Sequence, residues 1–112
     1  MTWYQTLVAA HLSVTTDVSH YIRLNSDRYF VWQEDGVHDL FADNRHTARA
    51  VTGSTDLFTK EEFDPWAEAL EAAFDAHGIS WTRSSVQYEE DTGFTHFEWT
   101  WEVMGDGQSC AI

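Results

Sequence analysis

Between Asp64 and Gly78 the chain places apolar residues at steps of three and four. Trp66, Ala69, Leu70, Ala73, Phe74 and His77 form one stripe, with Glu68, Glu71 and Asp75 on the other side. That spacing predicts an amphipathic helix. Asp64 is a suitable N-cap, and Pro65 suits the first helical position, where its missing N–H costs nothing. Gly78 is a natural stop. A shorter helix is predicted over 3–12, capped by Thr2, with Trp3, Leu7, Ala10 and His11 on its apolar face. The β-branched run Val14-Thr15-Thr16 ends it.

The remaining pattern has a period near two. "VSHYIRL" (Val18–Leu24) alternates weakly and predicts a short strand, followed by the turn signal "NSD". "RYFVWQE" (Arg28–Glu34) is dense in aromatic and β-branched residues and predicts a strand. "DGVHD" reads as a turn and "LFADNR" as a connector turning at Asp43-Asn44. A long strand is predicted over His46–Thr59, with Val51, Thr55 and Leu57 on one face and Gly53 marking a bulge or a close backbone approach. Two more strands, Ile79–Glu90 and Gly93–Met104, flank the hairpin signal "DTG". In the last, Thr95, Phe97, Trp99, Trp101 and Val103 face one way and His96, Glu98, Thr100 and Glu102 the other. The order α-β-β-β-α-β-β predicts an α+β fold. Its sheet of four to five strands is mostly antiparallel, with two helices on one face. Residues 1–104 form one domain on this reading, and 105–112 a flexible tail.

Composition sharpens this picture in one respect. The chain has 112 residues with 43% hydrophobic and 15% aromatic residues, enough for one core. Its formal net charge is −13. From Leu57 onward there are twelve acidic and two basic residues; before it, seven and four. That sign excludes a phosphate-gripping surface, which needs Lys and Arg. It suits a surface that repels nucleic acid or one that mimics it. The six tryptophans point to an aromatic core or an assembly surface. The single cysteine, Cys110, allows no internal disulfide. The start, "MTWYQTLVAAHLSV", reads as neither a leader nor a membrane span, so a soluble protein made inside the cell is expected.

Catalytic signals are lacking. The six histidines form no H-E-x-x-H and no Cys/His pair. His96-Phe97-Glu98 resembles the H-x-E of zinc deaminases without their later cysteine pair. Glu89-Glu90-Asp91 reads as a solvated hairpin tip. The sequence therefore predicts no enzyme, no metal and no cofactor.

Several stretches from Tyr29 to Val103 together resemble a family of small phage tail components of siphophage-like prophages: the tail completion, tail terminator and head–tail joining proteins. "RYFVW" stands where the family has a "PYIVY"-like strand, "LFADN" is similar to its "xFFADN" loop, and "DLFTKEEFDP" to its "ELYTxxKDP". "EALEAAFDAHGISWTRSSVQYEEDTGFTHFEWTWEV" follows its helix–strand–strand pattern. "LNSD" replaces the family's proline-rich entry, and "KEEFD" its basic residues. The resemblance implies an α+β fold and a ring-shaped homo-oligomer, commonly a hexamer among terminators. It also implies a virion location at the tail and neck after assembly in the host cytoplasm. Tail tube and neck or head-closure proteins would be its partners, and DNA can pass through the ring. It implies no cofactor, no catalysis, no membrane and no specific nucleic-acid binding. Glu98 and Glu102 are the candidate lumen-facing residues, and Arg49 and Arg83 the candidates for pairing with a neighbour. The alternative reading is an acidic DNA mimic that inhibits a host nuclease or restriction system.

Overall fold

The computed structural model describes residues 2–42 and 45–105, with side chains outside 39–48. The expected turn at Asp43-Asn44, the tail beyond Gly105 and Cys110 lie outside the described residues. Helix α1 spans Trp3–Leu12, β1 Val18–His20, β2 Arg28–Ala42, β3 Arg45–Thr59, α2 Pro65–Ala76, β4 Ser80–Tyr88 and β5 Thr95–Gly105. The strands form one sheet in the order β1-β2-β3-β5-β4. Three pairings are antiparallel, as the sequence predicts, and β1 runs parallel to β2.

Both helices begin as their sequences dictate. Thr2 and Gln5 form a reciprocal capping box: the Gln5 N–H donates to Thr2 Oγ1 (3.2 Å) and the Thr2 N–H to Gln5 Oε1 (2.9 Å). Asp64 caps α2, its Oδ1 accepting from the Trp66 N–H at 2.9 Å. The same carboxylate receives the Arg28 guanidinium, with Nε at 2.8 Å from Oδ2 and Nη2 on Oδ1. Burial opposes ionisation of Asp64, but hydrogen bonds from Arg28, the Trp66 N–H and Thr59, with the Arg28 charge, hold its pKa below the usual value. The cap thus ties the start of β2 to the start of α2. At the other end of α2, Gly78 (φ +70°) turns the chain. The Ile79 N–H then bonds the Phe74 carbonyl (2.9 Å) and the Gly78 N–H that of Asp75 (3.2 Å). This is a Schellman stop, and Ile79 is buried beneath it.

Three sequence expectations change. The apolar stripe of α2 is rotated: Ala67, Leu70, Ala73 and Phe74 are buried, Trp66 is half-buried and Ala69 is exposed. Alanine side chains give a weak signal of direction, so the larger Leu70 and Phe74 set the face. Secondly, "DGVHD" does not turn, and Leu40–Ala42 and Arg45 of the expected connector "LFADNR" are paired strand. Strand β2 runs on to Ala42 because Asp35 is accommodated as a bulge: Glu34 pairs with Gly53, Gly36 with Thr52. The Thr52 hydroxyl bonds Asp35 Oδ1 at 2.9 Å and holds the bulge. Thirdly, the first strand stops at His20. Tyr21 takes φ +69°, its N–H bonding the Trp32 carbonyl at 3.0 Å. The following segment runs back over the sheet, setting Arg23 4.0 Å above the Phe58 ring.

The core lies between the helices and one sheet face. Trp3, Leu7 and Ala10 of α1 and Ala67, Leu70 and Phe74 of α2 meet Phe30, Trp32, Val51, Leu57, Phe97, Trp99, Trp101 and Val103. Each large side chain buried there contributes about 1.5–3 kcal/mol. Inside it sits His11, fully buried. Its Nδ1–H donates to the Leu7 carbonyl (2.8 Å), leaving Nε2 to accept from the Thr55 hydroxyl (3.0 Å). Thr55 Oγ1 in turn accepts from Trp101 Nε1–H at 2.9 Å. Burial lowers the His11 pKa to about 4, against the smaller opposing effect of the Leu7 carbonyl.

Gly53 marks a close approach, as its isolation in a strand predicts. A Cβ there would lie 2.2 Å from the Gln33 carbonyl oxygen and 2.5 Å from the Trp101 ring. Gly53→Ala is therefore expected to destabilise the fold by about 1–3 kcal/mol or more, because a backbone atom must move. Denaturant melting within about half a kcal/mol of wild type would contradict this packing.

Candidate assembly surface

The sheet face away from the helices is open except at its Tyr29–Phe58 end, where these residues are buried, and its composition follows from the pleat. Residues opposite one another in register share a side. One row across the four long strands is Val31, Asp56, Glu98 and Ser85; the next is Gln33, Ser54, Thr100 and Thr82; the next is Gly36, Thr52, Glu102 and Ser80. No lysine or arginine stands in these rows; Arg23, from the segment after β1, lies over Phe58 at one end of the same face. A shallow groove of about 450 Å³ runs beside Thr52, Ser80, Thr82, Thr100 and Glu102. At the far end Tyr29, Val31 and Phe58 form a small apolar patch with Phe94 against it. His96 stacks on Phe58 (ring centroids 4.4 Å) and bonds Asp56 at 2.9 Å. The Asp56 hydrogen bond raises the His96 pKa above its ordinary value.

Glu98 and Glu102 therefore share this face, four residues apart on β5, or about 13 Å along an extended strand. The two arginines do not join them. Arg83 pairs in register with Trp99, on the helix-bearing side. There its Nε donates to Glu71 Oε2 (2.7 Å), and Nη2 lies 3.7 Å from Glu68. Arg49 alternates with Ala50 onto the same side as Val51, opposite Asp39 and Gly105 in register. Glu71, read from the helix pattern as solvent-facing, is instead half-buried. The same Oε2 accepts from Trp99 Nε1–H at 2.8 Å. Its sequence signal was its spacing, since it follows Ala67 by four and precedes Phe74 by three.

A second surface was not expected from the sequence. Phe63, in the loop before α2, is 89% exposed. Two grooves flank it. One of about 650 Å³ passes Val86 and Tyr88, and one of about 250 Å³ passes Val86, Arg83 and Phe97. Val86 and Tyr88 lie on the edge strand β4 and are half exposed or more. Single exposed apolar residues are ordinary; here Phe63, Val86 and Tyr88 gather along an open strand edge.

Among the described residues no three or more of His, Cys, Asp and Glu come together as a metal site, and no helix is long and apolar enough to cross a membrane. The fold defines a small α+β domain that presents surfaces: helices on one side, a hydroxyl- and carboxylate-bearing sheet on the other, an apolar edge between them. It is similar to a chain of a solved structure described as the virion of a native gene transfer agent (GTA) particle. The TM-score is 0.61 at 17% identity, and the match covers 95% of this chain and 92% of that one. No protein-family model matches the chain, and no curated protein does.

Proposed function

We propose that the chain is a structural component of a phage-like virion, a non-enzymatic ring-forming protein of the tail or neck. The observation that carries this reading is the fold likeness, nearly end to end, to a chain of the gene transfer agent virion particle. The resemblance in sequence to tail completion, terminator and head–tail joining proteins agrees with it. Tail tube and head-closure proteins are then its neighbours. The open face lines the bore, where Asp56, Glu98 and Glu102 repel the phosphate backbone of passing DNA. The DNA-mimic reading has less support.

The test is Glu98→Lys with Glu102→Lys in a particle carrying this gene. Virions are expected to assemble and eject DNA slowly; normal ejection would sink the lumen assignment, and failure to assemble would place these glutamates at a neighbour contact. In isolation, subunits of net charge −13 repel each other, so self-association is expected to strengthen with salt. Analytical ultracentrifugation across salt and protein concentration measures this, and a monomer throughout would contradict the ring.

A further inference from the structure

Two edges of the sheet are open along matching lengths. Strand β4 ends the sheet on one side, and among the described residues no strand pairs with its outer edge from Ser80 to Tyr88. On the other side β1 covers β2 only at Phe30–Trp32. Beyond Trp32, β2 continues to Ala42 with no strand partner on that edge among the described residues. Both open edges expose apolar side chains on the helix-bearing side. Val37 of β2 pairs with the core residue Val51 and is 44% exposed; Val86 of β4 pairs with Phe97 and is 50% exposed.

We propose that β4 of one copy pairs with the segment of β2 beyond Trp32 in the next copy, joining their sheets into one continuous wall. This rests on the ring reading above and specifies its joint. A level joint is blocked. Within one subunit β4 spans the rows from Arg28 to Gly36 of β2, so a neighbour's β4 at that height would meet β1. Closure of a sheet into a barrel removes the conflict. Closed barrels tilt their strands by about 35–45°, and the register then advances by about one residue per strand, as in an eight-stranded barrel of shear eight. At the joint β4 meets β2 directly and β1 is not crossed, so the four strands β2, β3, β5 and β4 give a stagger of about four rows, or about five residues of β2 where the bulge at Asp35 is passed. It carries β4 from the rows of Arg28–Gly36 to the stretch that β1 leaves free.

The direction of the stagger agrees as well. Strands β3 and β4 are parallel, with α2 between them in sequence and β5 between them in the sheet. Such crossovers are right-handed in nearly all sheets. With helices outside the ring and the right-handed twist of β-structure, the copy adjoining β4 presents the Ala42 end of its β2, not the Arg28 end. The contact joins two different edges, so it is heterologous and closes a ring by rotation. Val37 and Val86 then lie on the same side of the joined sheet, beneath the helices.

The experiment compares wild type with Val37→Lys and Val86→Lys by sedimentation at high salt, with thermal melts as a check on folding. Both positions are exposed, so melting is expected to match wild type while association weakens at least tenfold. In a Cys110→Ser background, His38→Cys combined with Thr82→Cys, treated with a short thiol crosslinker, is expected to give a ladder of multimers; each cysteine alone gives none. If wild type associates and both lysine variants associate equally well, the joint is overturned and the ring stands. If wild type stays monomeric at every salt and concentration, the ring falls and the joint with it.

Discussion

Trp99→Ala is expected to lower the unfolding free energy by about 3–5 kcal/mol. Trp99 is fully buried at the centre of β5, stacked on Phe97 (6.0 Å between centroids) and edge-on to Phe30 (6.4 Å). Its indole is held from β2 by Phe30 and from α2 by Glu71, so the void cannot close without displacing the sheet or α2. The change also removes the indole N–H from Glu71, whose Oε2 keeps only Arg83. Leu70→Ala, in the same core, is expected to cost about 2–5 kcal/mol. Urea melts with unchanged m-values measure both losses. Changes below about half a kcal/mol would contradict the position of α2 on the sheet.

Acid is expected to destabilise the protein through His11 by about 3 kcal/mol between pH 6.5 and pH 4. The folded pKa, about 4, lies below the ordinary value of 6.5. Between the two values the unfolded chain binds a proton that the folded chain refuses. Stability is therefore full above about pH 6.5 and falls as the pH drops toward 4. The geometry explains the refusal: both ring nitrogens are engaged, and Nε2 must keep its lone pair to accept from Thr55. The Asp64 carboxyl acts in the same sense at lower pH, because its folded pKa is depressed below 3.8. His96 acts in the opposite sense. Its pKa is raised, so its contribution is complete below 6.5 and is lost as the pH climbs through the folded value. His11→Gln should be less stable at pH 7 and show a shallower decline in urea midpoint from pH 6.5 to 4. Parallel declines in the two proteins would assign the acid sensitivity elsewhere.

These residues also show what the sequence could and could not reveal. The α1 face, including His11, is readable because Trp3, Leu7, Ala10 and His11 recur at helical spacing, and the faces of β5 are readable because aromatic and polar residues alternate without a break. The Asp64–Pro65 start and Gly78 stop of α2 are local chemistry and needed no fold. Long-range partners escape such reading. The Asp-Gly at 35–36 signals a turn locally, and only the pairing with Gly53 and Thr52 makes it a bulge. Arg83 and Glu71 look like solvent charges until β4 is laid beside α2. For the candidate surface, the alternation of β5 predicts that Glu98 and Glu102 share a face. The open β4 edge with Phe63 beside it depends on strand order, which no local pattern contains.

That strand order has a kinetic consequence. The β2–β3 and β4–β5 hairpins join neighbours in sequence and can form independently within microseconds. The sheet is complete only when the β4–β5 hairpin docks through β5 onto β3, pairing Asp56 with Glu98 and Thr55 with Trp99 across the intervening helix. This closes a loop of about forty residues, and its entropy must be overcome before the contacts between β3 and β5 form. Docking of the β4–β5 hairpin onto β3 is therefore the step expected to limit folding, and substitutions along the β3–β5 seam are expected to slow it. Until it occurs, a newly made chain carries two preformed hairpins with aromatic faces uncovered, and a crowd of such chains competes with its own completion.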